Sequence, residues 1–131
     1  MLLIDHASQA VDWRGRDKNV AQRTLVSAQT GATNLTIWEL HSPVDTGAPM
    51  HVHPHEESIT VLQGHIVARI GEERVEAHTG QTIYMPVDVP HGFRVVGDAP
   101  AHLLVVFPVG DVTYEYMRSR YNPADVNERL A

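Results

Sequence analysis

Cysteine is absent from this 131-residue sequence. That excludes disulfides, thiolate metal sites and cysteine nucleophiles, so any metal must be held by nitrogen and oxygen. Positive charge is scarce as well. Ten Lys and Arg against sixteen Asp and Glu leave a formal charge of -6 at pH 7, the wrong sign for a nucleic-acid or anionic-membrane partner. No apolar run approaches about 18 residues, so no transmembrane helix is expected. The opening MLLIDHASQ has neither a basic leader nor a long apolar stretch, and with no visible secretory signal the expectation is a cytoplasmic protein. At 43% hydrophobic residues the chain is not composed like a disordered one. Its length suits one domain, residues 1–131. What the sequence has in excess is histidine, nine in all.

The middle of the chain shows no helical period. Leu35–Leu40 reads as a strand from its β-branched and aromatic content, and Ser42–Pro49 as a loop with two prolines and a glycine. Ser58–Leu62 and His65–Ile70 are apolar runs separated by Gln63-Gly64, which reads as a hairpin turn. Further runs at Arg74–Ala77, Thr82–Met85, Phe93–Val96 and Ala101–Phe107 are each introduced by Gly, Asp or Pro. Short strands at this spacing indicate an all-β sandwich or barrel. Residues 1–24 look irregular, with room for one or two strands. Asn122 and Pro123 suit the cap and first position of a short C-terminal helix, and Tyr114–Met117 reads as an edge strand or interface element.

Six of the histidines fall between positions 51 and 91, and the densest string is Met50-His51-Val52-His53-Pro54-His55-Glu56-Glu57. In an extended strand residues two apart share a face, so His51 and His53 converge. Neutral imidazole pairs suit zinc, copper, iron and nickel, and Glu57 adds an oxygen donor if the chain turns near Pro54. The pair alone says little, since nine histidines in 131 residues supply roughly 0.6 of one His-x-His by chance. The wider pattern says more. His51-x-His53-x3-Glu57-x6-Gly64 is followed by Gly80-x5-Pro86-x4-His91, a combination expected by chance about once in 10,000 sequences or less.

These two stretches, about residues 47–64 and 80–95, resemble the paired motifs of the cupin family. The resemblance implies a jelly-roll barrel, the double-stranded β-helix, with a short C-terminal helix or extension. It implies metal ligands at His51, His53, Glu57 and His91. Three positions depart from the family pattern: Asp45 and Asp88 stand where glycines are usual, and Val95 where an asparagine is usual. None of them is a ligand position.

Around this centre, Trp38, His55 and Phe93 are the expected pocket residues, Phe93 because it shares a strand face with His91. Tyr84 is a candidate acid or base beside Glu57 if its hydroxyl faces the metal. Glu56 points the other way and reads as a surface charge. His65 and His78 read as surface residues near turns, and His6, His41 and His102 carry no spacing signal.

Three histidines and one carboxylate leave coordination positions open, as in catalytic metal sites. The expected cofactor is one divalent transition metal, Fe, Mn, Ni, Co or Zn. The expected function is a metal-dependent, dioxygenase-like oxidoreductase acting on a small aromatic, enol or dicarbonyl substrate. The alternatives are a redox-silent isomerase, lyase or epimerase, and a non-catalytic small-molecule-binding module. The family's habit and an open sheet edge together suggest a homodimer.

Overall fold

In this computed structural model, residues 2–113 and the pair Glu115–Tyr116 are described. Eleven strands account for most of them: β1 (Asp12–Arg14), β2 (Val20–Val26), β3 (Thr36–Ser42), β4 (Gly47–Val52), β5 (Glu57–Gln63), β6 (His65–Ile70), β7 (Glu73–His78), β8 (Thr82–Met85), β9 (His91–Val95), β10 (Ala101–Phe107) and β11 (Glu115–Tyr116). They form two antiparallel sheets, one six-stranded in the order β1-β2-β3-β10-β5-β8, the other five-stranded in the order β11-β4-β9-β6-β7. This is the expected jelly-roll barrel. The expected edge strand near Tyr114 is present at Glu115–Tyr116, paired with β4. The expected C-terminal helix lies outside the described residues. No helix among the described residues is long and apolar enough to cross a membrane.

Strict alternation decides which face of each strand turns inward. In β10 Ala101, Leu103, Val105 and Phe107 are buried while the residues between them are half-exposed. In β5 the inward set is Glu57, Ile59 and Val61, so the same period that buries two aliphatic side chains also carries a carboxylate into the barrel. Val61, Ile66, Ala68, Val95 and Leu103 have no accessible surface and close the barrel on the side away from Glu57.

The expected hairpin at Gln63-Gly64 is not one. β5 pairs with β8 and β10, whereas β6 pairs with β7 and β9, so Gly64 is the corner where the chain crosses between sheets. A side chain there would overlap Ala101, with a Cβ only 2.8 Å from its Cα, and the backbone is left-handed at φ 120. Both facts call for glycine. The return corner at Thr79-Gly80 lies alongside, tied by Thr79 N–H to the Gly64 carbonyl (3.1 Å) and Gly80 N–H to the Val61 carbonyl (2.8 Å).

Ser42–Pro49, expected as a loop, contributes to two strands. Ser42 ends β3, and β4 already begins at Gly47. The proline is tolerated because the β4–β9 register shifts between Ala48 and His51, a bulge in which Pro49 has no ladder bond to lose. Beyond the bulge His51 stands directly opposite His91.

Asp45 and Asp88, the departures from the family's glycines, both have left-handed backbone, at φ 69 and 60. Aspartate tolerates that region better than most residues, and each N–H is bonded, Asp45 to the Val95 carbonyl and Asp88 to the His53 carbonyl, both at 2.9 Å. The turns therefore keep the geometry that glycine would serve. Asp88→Gly is expected to leave stability within about 1 kcal/mol of the parent, whereas Asp88→Val, β-branched at positive φ, should lower it by roughly 1–3 kcal/mol in urea unfolding.

Candidate metal centre

Three strands deliver the four expected ligands. His51 lies in β4 and His53 just beyond its end, Glu57 opens β5, and His91 opens β9. All four side chains are buried, at 3–8% of their free exposure, and one donor atom from each lies within 4.8 Å of the others. His53 Nε2 and His91 Nε2 approach the same Glu57 oxygen, at 3.1 and 3.0 Å. The ring of His51 meets those of His53 and His91 edge-on, with centroids 4.7 and 4.5 Å apart.

The opposite ring nitrogens explain the orientation. His51 Nδ1 lies 2.7 Å from the Pro49 carbonyl, His53 Nδ1 2.7 Å from that of Thr113, and His91 Nδ1 2.9 Å from that of Val89. A carbonyl can only accept, so each Nδ1 carries hydrogen and donates it. Nε2 of each ring then faces the interior, the arrangement in which outer hydrogen bonds orient metal-ligating histidines. With no ion bound, Nε2 of His53 and His91 can bond Glu57 only by carrying hydrogen, which a metal would displace.

Electrostatics put His51 and Glu57 in their ligating forms. Burial pushes His51 down to about 4, with the neighbouring His91 acting in the same direction, so it is neutral at neutral pH. Burial would raise Glu57, but the hydrogen bonds from His53 and His91 prevail and hold it at about 2. It is a carboxylate. For His53 burial acts downward, yet its bonds to Glu57 and the Thr113 carbonyl leave it raised. With nitrogen and oxygen donors only, and a cluster small enough for one ion, the site fits a divalent transition metal of the Fe, Mn, Ni, Co or Zn group.

The cluster borders a cavity of about 180 Å3, lined by Trp38, Phe93 and Phe107 among others, with Arg14 and Gln22 as polar contributors. Trp38 meets Phe107 edge-to-face at 4.8 Å. Trp38 and Phe93 both line this cavity. Tyr84 does not. β8 turns Ile83 and Met85 inward and leaves Tyr84 56% exposed, its hydroxyl donating to Glu56 at 2.8 Å. The condition for its acid–base role, a hydroxyl facing the metal site, is not met. His55 is buried but absent from the cavity lining. Its ring stacks on His53 at 4.9 Å and abuts Phe107 at 5.5 Å, and its Nε2 finds no hydrogen-bond partner among the described residues. Sequence reasoning missed Arg14 and Gln22, which come from the stretch read as irregular. Their position follows from the pairing of β1 with β2, which no local pattern announces.

The sign of the pH response of the metal-free protein follows from these groups. Between the ordinary histidine value of 6.5 and about 4, the unfolded chain takes up a proton that native His51 refuses, so acid removes stability, up to about 3 kcal/mol. Glu57 adds a further loss as pH falls from its ordinary 4.5 toward 2. His53, being raised, acts in the opposite sense, stabilising the fold below its unfolded value and releasing that as pH rises through its native value. The melting temperature of metal-stripped protein should therefore fall from pH 6.5 to pH 4, and His51→Gln should flatten that slope in a differential scanning series.

The cupin domain family model matches residues 38–107, a span that contains all four donors. The uncharacterized protein MJ1618 of Methanocaldococcus jannaschii is 32% identical over 63 residues, which are 47% of this chain and 50% of that protein. The match thus spans about half the length of this curated relative. Among solved structures, the polyketide cyclase RemF from Streptomyces resistomycificus is similar with a TM-score of 0.76 and 22% identity, over 98% of this chain and 91% of that one. A predicted oxalate decarboxylase from Thermotoga maritima gives 0.73 at 15% identity, over 82% and 99%. An RmlC-like cupin from Shewanella frigidimarina gives 0.71 at 14%, over 83% and 92%. At such identities the likeness is one of fold, and the chemistries in these names differ from one another. With the family match covering more than half of the sequence, the chain belongs to the cupin family.

Proposed function

We propose that this chain is a metal-dependent enzyme, an oxidoreductase of dioxygenase type acting on a small aromatic, enol or dicarbonyl compound. One observation carries the reading: four buried, convergent donors border a small cavity walled by Trp38, Phe93 and Phe107. A bound divalent transition metal supplies Lewis acidity toward substrate oxygens and, if redox-active, electrons. The residues supply the rest. The aromatic walls hold a planar molecule and exclude water. At about 180 Å3 the cavity is smaller than the roughly 300 Å3 typical of pockets for drug-sized ligands, which favours a small substrate. Exposed Arg14 at the lining offers a cation to a carboxylate or enolate. Glu57, ionised and beside the cavity, is the group to accept a proton.

That last feature also supports a second reading, a redox-silent isomerase, lyase or epimerase in which proton transfer at Glu57 is the whole chemistry. Oxygen separates the two. Under the first, iron(II)-loaded protein consumes dioxygen in proportion to a flavonol or β-diketone substrate, and under the second turnover persists without air. We take the working form to be a homodimer, supported by sheet edges at β7 and β8 that no further described strand covers.

His91→Ala should abolish turnover in either case. Glu57→Gln should lower kcat about 100-fold or more in steady-state assays. Arg14→Gln should raise KM for an anionic substrate about tenfold while leaving kcat nearly unchanged. Unchanged oxygen uptake in His91→Ala contradicts the proposal.

A further inference from the structure

A second group of histidines gathers around a carboxylate on the opposite face of the six-stranded sheet. Glu39 lies in β3, where Trp38 and Leu40 line the cavity, so by alternation Glu39 and His41 point outward. The register places His102 of β10 directly opposite His41, and Arg23 of β2 opposite Glu39. Although it faces outward, Glu39 keeps only 7% of its side-chain exposure. His6, in the turn His6–Ser8 of the N-terminal segment, lies against it.

The contacts repeat the arrangement of the barrel centre. His102 Nε2 and His6 Nδ1 approach the same Glu39 oxygen, at 2.9 and 3.0 Å, as His53 and His91 approach one oxygen of Glu57. His41 Nε2 is 3.9 Å from the other oxygen, and the His41 and His102 rings stack in parallel at 4.2 Å, which aligns their edges. One donor atom each from Glu39, His41 and His102 falls within the same 4.8 Å limit that the barrel donors meet.

We propose that Glu39, His41 and His102 form a second divalent-cation site, open to solvent on the outer face of the sheet, with His6 closing it from the N-terminal segment. The donor chemistry, imidazole with one carboxylate and no sulfur, suits zinc, cobalt, nickel or copper. The donors are in usable form. Burial acts to raise Glu39, but the hydrogen bonds from His102 and His6 outweigh it and keep it low, and burial together with the neighbouring His102 lowers His41. Binding replaces the hydrogens that now lie between imidazole and carboxylate by one cation, so protons are released on loading. Arg23 opposes a cation, but its nearest guanidinium nitrogen is 3.9 Å from Glu39 and its Nε donates to the Gln9 carbonyl. The site does not depend on the enzymatic reading of the barrel.

The test uses the full chain, stripped with chelator and dialysed against buffered zinc(II), with metal counted per chain by emission spectrometry. Two equivalents are expected for the parent. His41→Asn with His102→Asn should remove one, and His91→Ala should remove the other while leaving this one. His41 is half-exposed, so His41→Asn alone is a variant that will fold, and it should weaken the second equivalent about tenfold or more. Zinc should also slow hydrogen exchange in residues 5–9 of the parent and not in the double variant. A parent that binds a single equivalent, lost in His91→Ala, overturns the proposal and makes the cluster a hydrogen-bonded pin for the N-terminal segment. Two equivalents retained in the double variant also overturn it.

Discussion

Three backbone carbonyls govern this molecule's chemistry. By accepting from Nδ1 of His51, His53 and His91, those of Pro49, Thr113 and Val89 turn Nε2 of each ring toward the interior. A buried imidazole with no such anchor would rotate or flip to find a partner, because an unmet polar atom in an apolar barrel costs about 1–3 kcal/mol. The anchors hold the donors together before any ion arrives, and Glu57 between two of the rings balances the field they create. Two of the three carbonyls belong to the residue two positions before the histidine they orient, so much of the centre's geometry is built into β4 and the turn that leads into β9.

The sheets then have to bring those strands into register. The bulge at Pro49 does this, setting His51 opposite His91, and alternation in β5 turns Glu57 to the same side as Ile59 and Val61. A one-residue slip in any of the three strands would send a ligand to the outer face. The corners at Gly64 and Gly80 and the left-handed turns at Asp45 and Asp88 hold that register. Residues far from the metal position thus determine whether it exists.

Much of this was legible in the sequence because it depends on short periods. The His51-x-His53 spacing, the distance to Glu57 and the apolar alternation of Ala101–Phe107 are local, and each reads correctly from residues within a few positions. Legibility fails where partners are chosen over long range. Gln63-Gly64 looks like a hairpin because the residues that suit a two-residue turn also suit a corner between sheets. Pro49 looks like a loop residue because the bulge that accommodates it involves β9. His41 and His102 showed no signal because the distance between them, like the 63 residues between Glu39 and His102, is bridged only by the pairing of β3 with β10. Tyr84 fails its condition for a smaller reason: the apolar phase of β8 belongs to Ile83 and Met85, which turns the tyrosine outward.

Whether His51, His53, Glu57 and His91 hold one divalent transition metal is read from anomalous scattering by crystals of the zinc-loaded full chain, collected above and below the metal edge. A single ion held by all four gives a peak about 2.0–2.2 Å from Nε2 of the three histidines and from a Glu57 oxygen. A zinc-saturated crystal with no peak among these four residues, and with Glu57 still hydrogen-bonded to His53 and His91, would contradict it.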